Sequence, residues 1–414
     1  MYKTINQCRI CGNPNLVEVI NLGEMMLTGV FPKTKDSGIT VGPMSLVKCR
    51  GEDSCGLLQL KQSYDLKELY GLNYGYRSGL NKSMVDHLHA KVRKILGLIS
   101  LTAGDLVIDI GSNDGTTLAA YPSDALILVG IDPTGIKFKE YYKPYIKLIP
   151  DFFSKEILEK HLGAKKAKVV TSLSMFYDLE NPLQFMREVY EVLDNEGIWV
   201  FEQSYMPTML KTNSFDTVCQ EHLEYYALKQ IKWMADKVGL KIIDIEFNDI
   251  NGGSFSLTAA KRTSSYGEAK NLSTILQQEK TTGLDDLKIY EVFSSNITKS
   301  KEELLALIRK IKSEGKSIFG LGASTKGNVL LQYCGITEKE IPFIGEVNSE
   351  KFGSFTPGTF IPIISEAELL SKNPDYLLVL PWHFRNFFLQ IQKFKKINLI
   401  FPLPQLEIIK QNDK

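Results

Sequence analysis

The sequence predicts an α/β protein built as two successive open sheets behind a short cysteine-bearing module. Three observations carry that expectation. Buried-strand runs, "DLVIDIG", "LILVGIDP", "AKVVTSL", "GIWVFEQ" and "SFSLTAAK", are separated by helix-like stretches such as "NPLQFMREVYEVLDNEG", the alternation of an open α/β sheet. After a polar linker, "RTSSYGEAKNLS", a long helical stretch leads into a second alternation: "KSIFGLG", "NVLLQYC", "IPFIGEVN", "PDYLLVLPW" and "INLIFPL". Four of the six cysteines, Cys8, Cys11, Cys49 and Cys55, fall in the turn-rich first segment. The expected units are a zinc-binding module over 1–65, a Rossmann-like domain over 66–262 and a second, smaller Rossmann-like domain over 263–414.

Composition narrows the partners. The 414 residues carry 49 basic and 48 acidic side chains, so no global electrostatic footprint for nucleic acid exists. The longest apolar runs, "ALILVGI" and "YLLVLPW", have strand length and fall short of a membrane span. "MYKTINQCRICG" lacks the apolar core of a secretory signal. A cytoplasmic protein is expected, and in that compartment cysteines serve as ligands or bystanders rather than disulfides. Cys219 and Cys334 stand alone.

The first module is too small to bury much core, so a metal staple is expected. Cys8 and Cys11 are separated by two residues, as in a turn that offers two thiolates to one ion. Cys49 and Cys55 form a looser second pair. Four thiolates close a tetrahedral zinc site, which makes the metal structural.

"VIDIGSNDG" is a strand running into a glycine turn and then a helix, where backbone can approach a ligand at the strand's carboxyl end. Asp132 lies at the tip of the following strand, about 20 residues beyond Gly111, where a carboxylate can accept both hydroxyls of an adenosine ribose. The pattern of Asp109, Gly111, Asn113 and Gly115 resembles enzymes using S-adenosylmethionine more than dinucleotide binders. A sulfonium cofactor has no pyrophosphate, so an acid such as Asp114 is tolerated there. "IPDFF" then supplies Asp151 and Phe152 for the adenine.

"FGLGASTKGN" repeats the strand–glycine loop–helix arrangement, with Glu346 on the tip of the next strand. Lys326 at a helix start suits a diphosphate, so this loop reads as a site for a nucleotide's phosphates.

"TVCQEHLEYY" groups Cys219, Glu221, His222 and two tyrosines. On a regular helix, Glu221 and His222 would point about 100° apart, with Tyr225 and Tyr226 three to four residues beyond. A histidine is the usual general base near neutral pH and a carboxylate can orient it. The loops "GYRSG", "SLSMFYD" and "NGGS" are expected to line the same cleft. His87, His89, His161 and His383 show no metal spacing; His383 can sit at the second sheet's carboxyl edge as a surface or core residue.

In this order the cysteine module, "YGYRSG", "DIGSNDG", "SLSMFYDLENP", "CQEHLEYY", "NGGS", "GASTKGN" and "PGTFIPI" resemble the sugar C-methyltransferases that make branched deoxysugars from nucleotide-linked ketosugars. The likeness spans nearly the whole chain; the glutamate–histidine pair and the "STKGN" loop are its most specific parts. It implies a class I methyltransferase domain between the zinc module and a domain that holds the nucleotide sugar, through Thr325, Lys326, Asn328 and Glu346. It also implies C3-methylation of a 4-keto-6-deoxysugar: His222, helped by Glu221, takes the C3 proton, Tyr76 lies near the reacting groups, and the enolate carbon attacks the methyl. Some members carry a tyrosine where this chain has Cys219, so a phenol polarising the ketone is in doubt here. Sugar O-methylation, methylation of RNA and non-catalytic sugar binding are the rival readings. A net charge near zero and "TSLSMFYD" in place of an N-P-P-Y-type motif weigh against RNA.

Overall fold

The computed structural model describes residues 1–36, 38–70, 75–122 and 125–410. Tyr74 of the "YGYRSG" stretch and the last four residues of the expected C-terminal domain lie outside them.

The central sheet has seven strands in the order Leu240–Asn248, Ser254–Lys261, Leu193–Ser204, Ala167–Leu173, Leu106–Ile110, Ile127–Ile131, Ile146–Ile149. All run parallel except Ser254–Lys261, which is antiparallel to both neighbours. This is the class I methyltransferase arrangement. Its middle strands are buried on both faces, which is why they read as continuous apolar runs rather than alternations; every residue of Leu106–Ile110 is buried. Strand order reverses between Leu106–Ile110 and Ala167–Leu173, so a crevice opens at their carboxyl ends.

The C-terminal sheet repeats this logic with six strands, Ile363–Ser365, Ile344–Glu346, Ile318–Leu321, Tyr376–Val379, Asn398–Phe401 and Glu407–Ile409, the last antiparallel. Its switch point lies beside Ile318–Leu321. The 27-residue helix Leu287–Ser313 buries a stripe of Tyr290, Phe293, Ile297, Leu304, Ile308 and Ile311, the spacing of one helical face. "NVLLQYC", expected as part of the strand alternation, is instead the body of helix Thr325–Cys334. Its apolar run is buried all round, and periodicity alone cannot tell such a run from a strand.

The N-terminal strands Leu16–Met26, Val41–Cys49 and Leu58–Leu60 form an antiparallel sheet whose fourth strand, Glu224–Tyr225, comes from the methyltransferase region. The helix considered for "TVCQEHLEYY" is not formed. A short turn at Phe215–Thr217 leads into an irregular segment, and the next helix begins only at Leu228. Residues 217–226 are buried except His222, and three units press on them. Backbone pairing with Leu58 and Gln59 replaces the helical ladder there.

Candidate active site

The cysteine pairs converge first. The sulfurs of Cys8, Cys11, Cys49 and Cys55 all lie within 4.8 Å of one another. Cys8 and Cys55 are 3.5 Å apart, as are Cys11 and Cys49, too far for disulfides. Zinc–sulfur bonds of about 2.3 Å require tetrahedral edges of about 3.8 Å, so the donor set fits one zinc ion with no position left open. Zinc there holds the module together and takes no part in chemistry.

A cavity of about 450 Å³ lies between the carboxyl ends of the two sheets. One wall includes Tyr76, Gly111, Asn113, Asp132 and Phe152. Gly111 turns the chain with φ 73°, and a Cβ there would lie 3.0 Å from Met175 Cγ, so only glycine fits. Asn113 is also left-handed, with φ 50°, a conformation asparagine tolerates. Asp132 fastens this turn: one oxygen accepts from the Asn113 amide at 2.7 Å and the other from the Thr134 amide and hydroxyl. The oxygen that accepts from Asn113 keeps acceptor capacity for a further hydroxyl, while the other already accepts two hydrogen bonds.

Asp109, Gly115 and Asp151 do not reach this wall. Asp109 is buried beneath the turn, where it accepts from the Thr171 hydroxyl, and burial pushes its carboxyl up to about 7. Gly115 has φ 75° and sits against Tyr142. Both shape the turn from behind, and Asp151 accepts from the Phe152 amide outside the cavity.

The opposite wall holds Cys219, Glu221 and His222. His222 Nδ1 lies 2.8 Å from the Thr217 carbonyl, which fixes the proton on Nδ1 and leaves Nε2 its lone pair. The ring packs on Tyr177, centroids 4.2 Å apart. Burial, reinforced by the Lys326 charge, pushes the imidazole down to about 3, so it is neutral in the free enzyme. Burial raises the Glu221 carboxyl, and its Oε2 has no hydrogen-bond partner among the described residues. Tyr225 and Tyr226 are buried away from the cavity, so neither phenol stands in for the residue at position 219.

The C-terminal domain contributes Ser324, Thr325, Lys326, Lys351 and His383. Ser324 caps helix Thr325–Cys334 by accepting from the Gly327 amide. Lys326 donates to the Asn251 carbonyl. Asn328 and Glu346 do not line the cavity. Asn328 is fully buried and donates to the Thr28 carbonyl at 2.7 Å, docking the helix on the N-terminal module. Glu346 accepts from the amides of Ala323, Val347 and Asn348 and so shapes the loop.

Several wall residues carry no sequence signal. Gly29 approaches Glu221 so closely that a Cβ would lie 2.0 Å from Glu221 Oε1. His87 Nε2 lies 2.6 Å from Glu202, whose other oxygen meets Lys91 and Asn248. His87 comes from helix Lys82–Leu98 and Glu202 from a strand, so no local motif links them.

Three family models match the chain in succession: a zinc binding domain over residues 8–70, a methyltransferase domain over 84–245 and a C-methyltransferase C-terminal domain over 249–404. The chain is accordingly an S-adenosylmethionine-dependent methyltransferase, with S-adenosylmethionine as its cofactor and zinc as its structural metal. Within that class its full-length likeness is to the C-methyltransferases. The C-methyltransferase NovU of Streptomyces niveus is 28% identical over 413 residues, covering 98% of this chain and 97% of that one. Among solved structures, the CcbJ methyltransferase of Streptomyces caelestis is 14% identical, with a TM-score of 0.34 over 45% of this chain and 99% of that one. The plantazolicin methyltransferase BpumL is 12% identical, with a TM-score of 0.34 over 43% of this chain and 83% of that one. Among the described residues no helix is long and apolar enough to cross a membrane.

Proposed function

We propose that the protein methylates C3 of a nucleotide-linked 4-keto-6-deoxysugar, with His222 as the base. The observation that carries this reading is the anchored, neutral imidazole of His222, facing the same cavity as the Gly111–Asp132 turn and the Ser324–Lys326 loop. The hydrogen on C3 is acidified by the neighbouring ketone, but its removal still needs a positioned base, worth about 10²–10⁴-fold. His222 Nε2 receives that proton. Glu221 and the negative charge of the substrate's diphosphate favour the resulting imidazolium, offsetting the burial that keeps the free imidazole neutral. S-adenosylmethionine supplies the electrophilic methyl group. Gly111, Asn113, Asp132 and Phe152 bind it, and Tyr76 covers the reacting end. Residues 1–65 hold the His222 segment against the cavity, 66–262 bind the cofactor, and 263–414 hold the nucleotide sugar through Thr325 and Lys326.

The test is mass spectrometry of products formed in heavy water from S-adenosylmethionine and a panel of nucleotide-linked 4-keto-6-deoxysugars. The expected product gains one methyl, loses the C3 hydrogen and carries no deuterium in its place. A methyl on oxygen would overturn the reading. His222→Ala should abolish turnover while cofactor binding persists; retained turnover would remove His222 as the base.

A further inference from the structure

We infer that Lys326 is the electrophile that takes up the negative charge of the enolate, a catalytic role beyond holding the substrate. The inference rests on the carbon-methylation reading above. When the C3–H bond breaks, the proton goes to His222 Nε2 and the electron pair spreads over C3, C4 and the C4 oxygen. C3 then bonds to the methyl carbon as the carbon–sulfur bond breaks and its electrons return to sulfur. Between these events the C4 oxygen carries nearly a full charge inside the cavity, where a preorganised donor has its greatest effect.

Few donors qualify. The phenols of the "LEYY" stretch are buried elsewhere, and position 219 is a cysteine whose thiol burial pushes up, so it stays neutral. Among the described residues, the cationic side chains lining the cavity besides the histidines are Arg77, Lys326 and Lys351. Arg77 is committed to the Tyr141 ring at 4.0 Å and lies 3.9 Å from Asp114, on the cofactor side. Lys351 donates to the Ala323 carbonyl at 2.8 Å and lies 4.4 Å from the Phe31 ring. Lys326 is placed differently. Its neighbour Thr325 reaches the Gly29 backbone, where Glu221 also packs: the Thr325 hydroxyl lies 3.6 Å from the position a Gly29 Cβ would take. The ammonium turns inward to the Asn251 carbonyl, which lines the same cavity. It is the charge felt by both His222 and His383.

Its buried setting opposes the charge of the amine, and one carboxylate counters that. Asp216 is buried beside it, with one oxygen accepting from Trp382 Nε1 at 2.7 Å and the other lacking a hydrogen-bond partner among the described residues. Burial lowers the Lys326 amine below the usual lysine range, and the nearby Asp216 carboxylate raises it again and offsets part of that. One hydrogen bond to Asn251 also leaves an ammonium two further N–H donors.

The experiment measures two readouts on wild type, Lys326→Met and Lys326→Arg. One is kcat and KM for the nucleotide sugar. The other is wash-in of deuterium at C3 from heavy water, with S-adenosylhomocysteine replacing the cofactor so that only enolisation is seen. S-adenosylmethionine binding by calorimetry checks the fold of each variant. Lys326→Met is expected to slow both exchange and saturated turnover by about 10²–10³-fold, the usual cost of one oxyanion donor, with Lys326→Arg in between. If Lys326→Met fails to bind cofactor, Lys326→Arg and Asp216→Asn decide. Both are expected to slow exchange, and wild-type exchange in both would overturn the inference. It is also overturned if Lys326→Met reaches wild-type kcat and exchange at saturation with only KM raised, which would make Lys326 a diphosphate contact. Absence of C3 exchange in wild type, with a methyl found on oxygen, would overturn the carbon-methylation reading and this inference together.

Discussion

A single hydrogen atom at position 29 decides where Glu221 can sit. A Cβ on Gly29 would lie 2.0 Å from Glu221 Oε1, closer than any real contact, so Gly29→Ala should displace the carboxylate. The expected result is at least a tenfold loss of kcat with S-adenosylmethionine affinity unchanged, read by steady-state kinetics beside calorimetry. His222 gives a second residue-scale prediction. Its imidazole is held near 3 in the folded chain against about 6.5 when unfolded. Between those values the unfolded chain binds a proton that the native state refuses, so stability falls as pH drops through that window. Thermal melts from pH 7 to 5 should show this loss, and His222→Gln should lose less than wild type. In the same window kcat/KM should show no acid limb near 6.5 from this group. Glu221, His222, Gly111 and Asp132 could be singled out as candidates from the sequence because each sits in a local pattern. Gly29 was not, since its reason to be glycine is a side chain far along the chain.

At the scale of elements, the segment around His222 is held by strand pairing instead of a helix. Glu224 and Tyr225 pair with Gln59 and Leu58, just beyond the zinc ligand Cys55. Arg9, between Cys8 and Cys11, reinforces the strap. It donates to the carbonyls of Leu60 and Gln62 and to the Ser63 hydroxyl, and lies 3.7 Å from Glu224 with both side chains almost wholly buried. Neither Glu224 oxygen has a hydrogen-bond partner among the described residues, and burial pushes its carboxyl well up, so the Arg9 guanidinium is what draws it back toward the charged form. Arg9→Met should cost about 3 kcal/mol, the typical penalty for stranding one member of a buried pair. Urea unfolding checks it; a change below about 1 kcal/mol would mean that Glu224 is neutral and indifferent to Arg9.

For the whole molecule, the cavity is a joint product of three units. Thr28 accepts from Asn328 through its carbonyl and donates to Gln220 through its amide and hydroxyl, so the N-terminal module touches both halves of the site. Zinc removal should therefore act at a distance. Treatment with a strong chelator, or Cys55→Ser, is expected to lower the melting temperature and abolish methyl transfer. The affinity for S-adenosylmethionine should change little, because no cysteine ligand lies on the cofactor side. Loss of cofactor binding in step with zinc would show instead that the central sheet depends on the module. Asp132→Ala separates the functions the other way, with cofactor affinity expected to fall by about 10- to 100-fold, one or two charge-assisted hydrogen bonds.

The two sheets, the cysteine ligands and the glycine turn with its acid can be read along the chain, because strand runs, turn glycines and ligand spacing are local consequences of backbone geometry and coordination chemistry. The sequence also put the glutamate–histidine pair in view as a candidate, with a helix considered for its segment. Only the tertiary structure decided which side chains share the cavity. Thr325 and Lys326 turn toward it, while Asn328 is spent on the Thr28 carbonyl and Glu346 on its own loop. His87 and Glu202 meet across a helix and a strand. The reason is physical: whether a polar side chain faces a ligand or satisfies a buried partner depends on what the rest of the chain packs against it, and no pattern along a single segment records that.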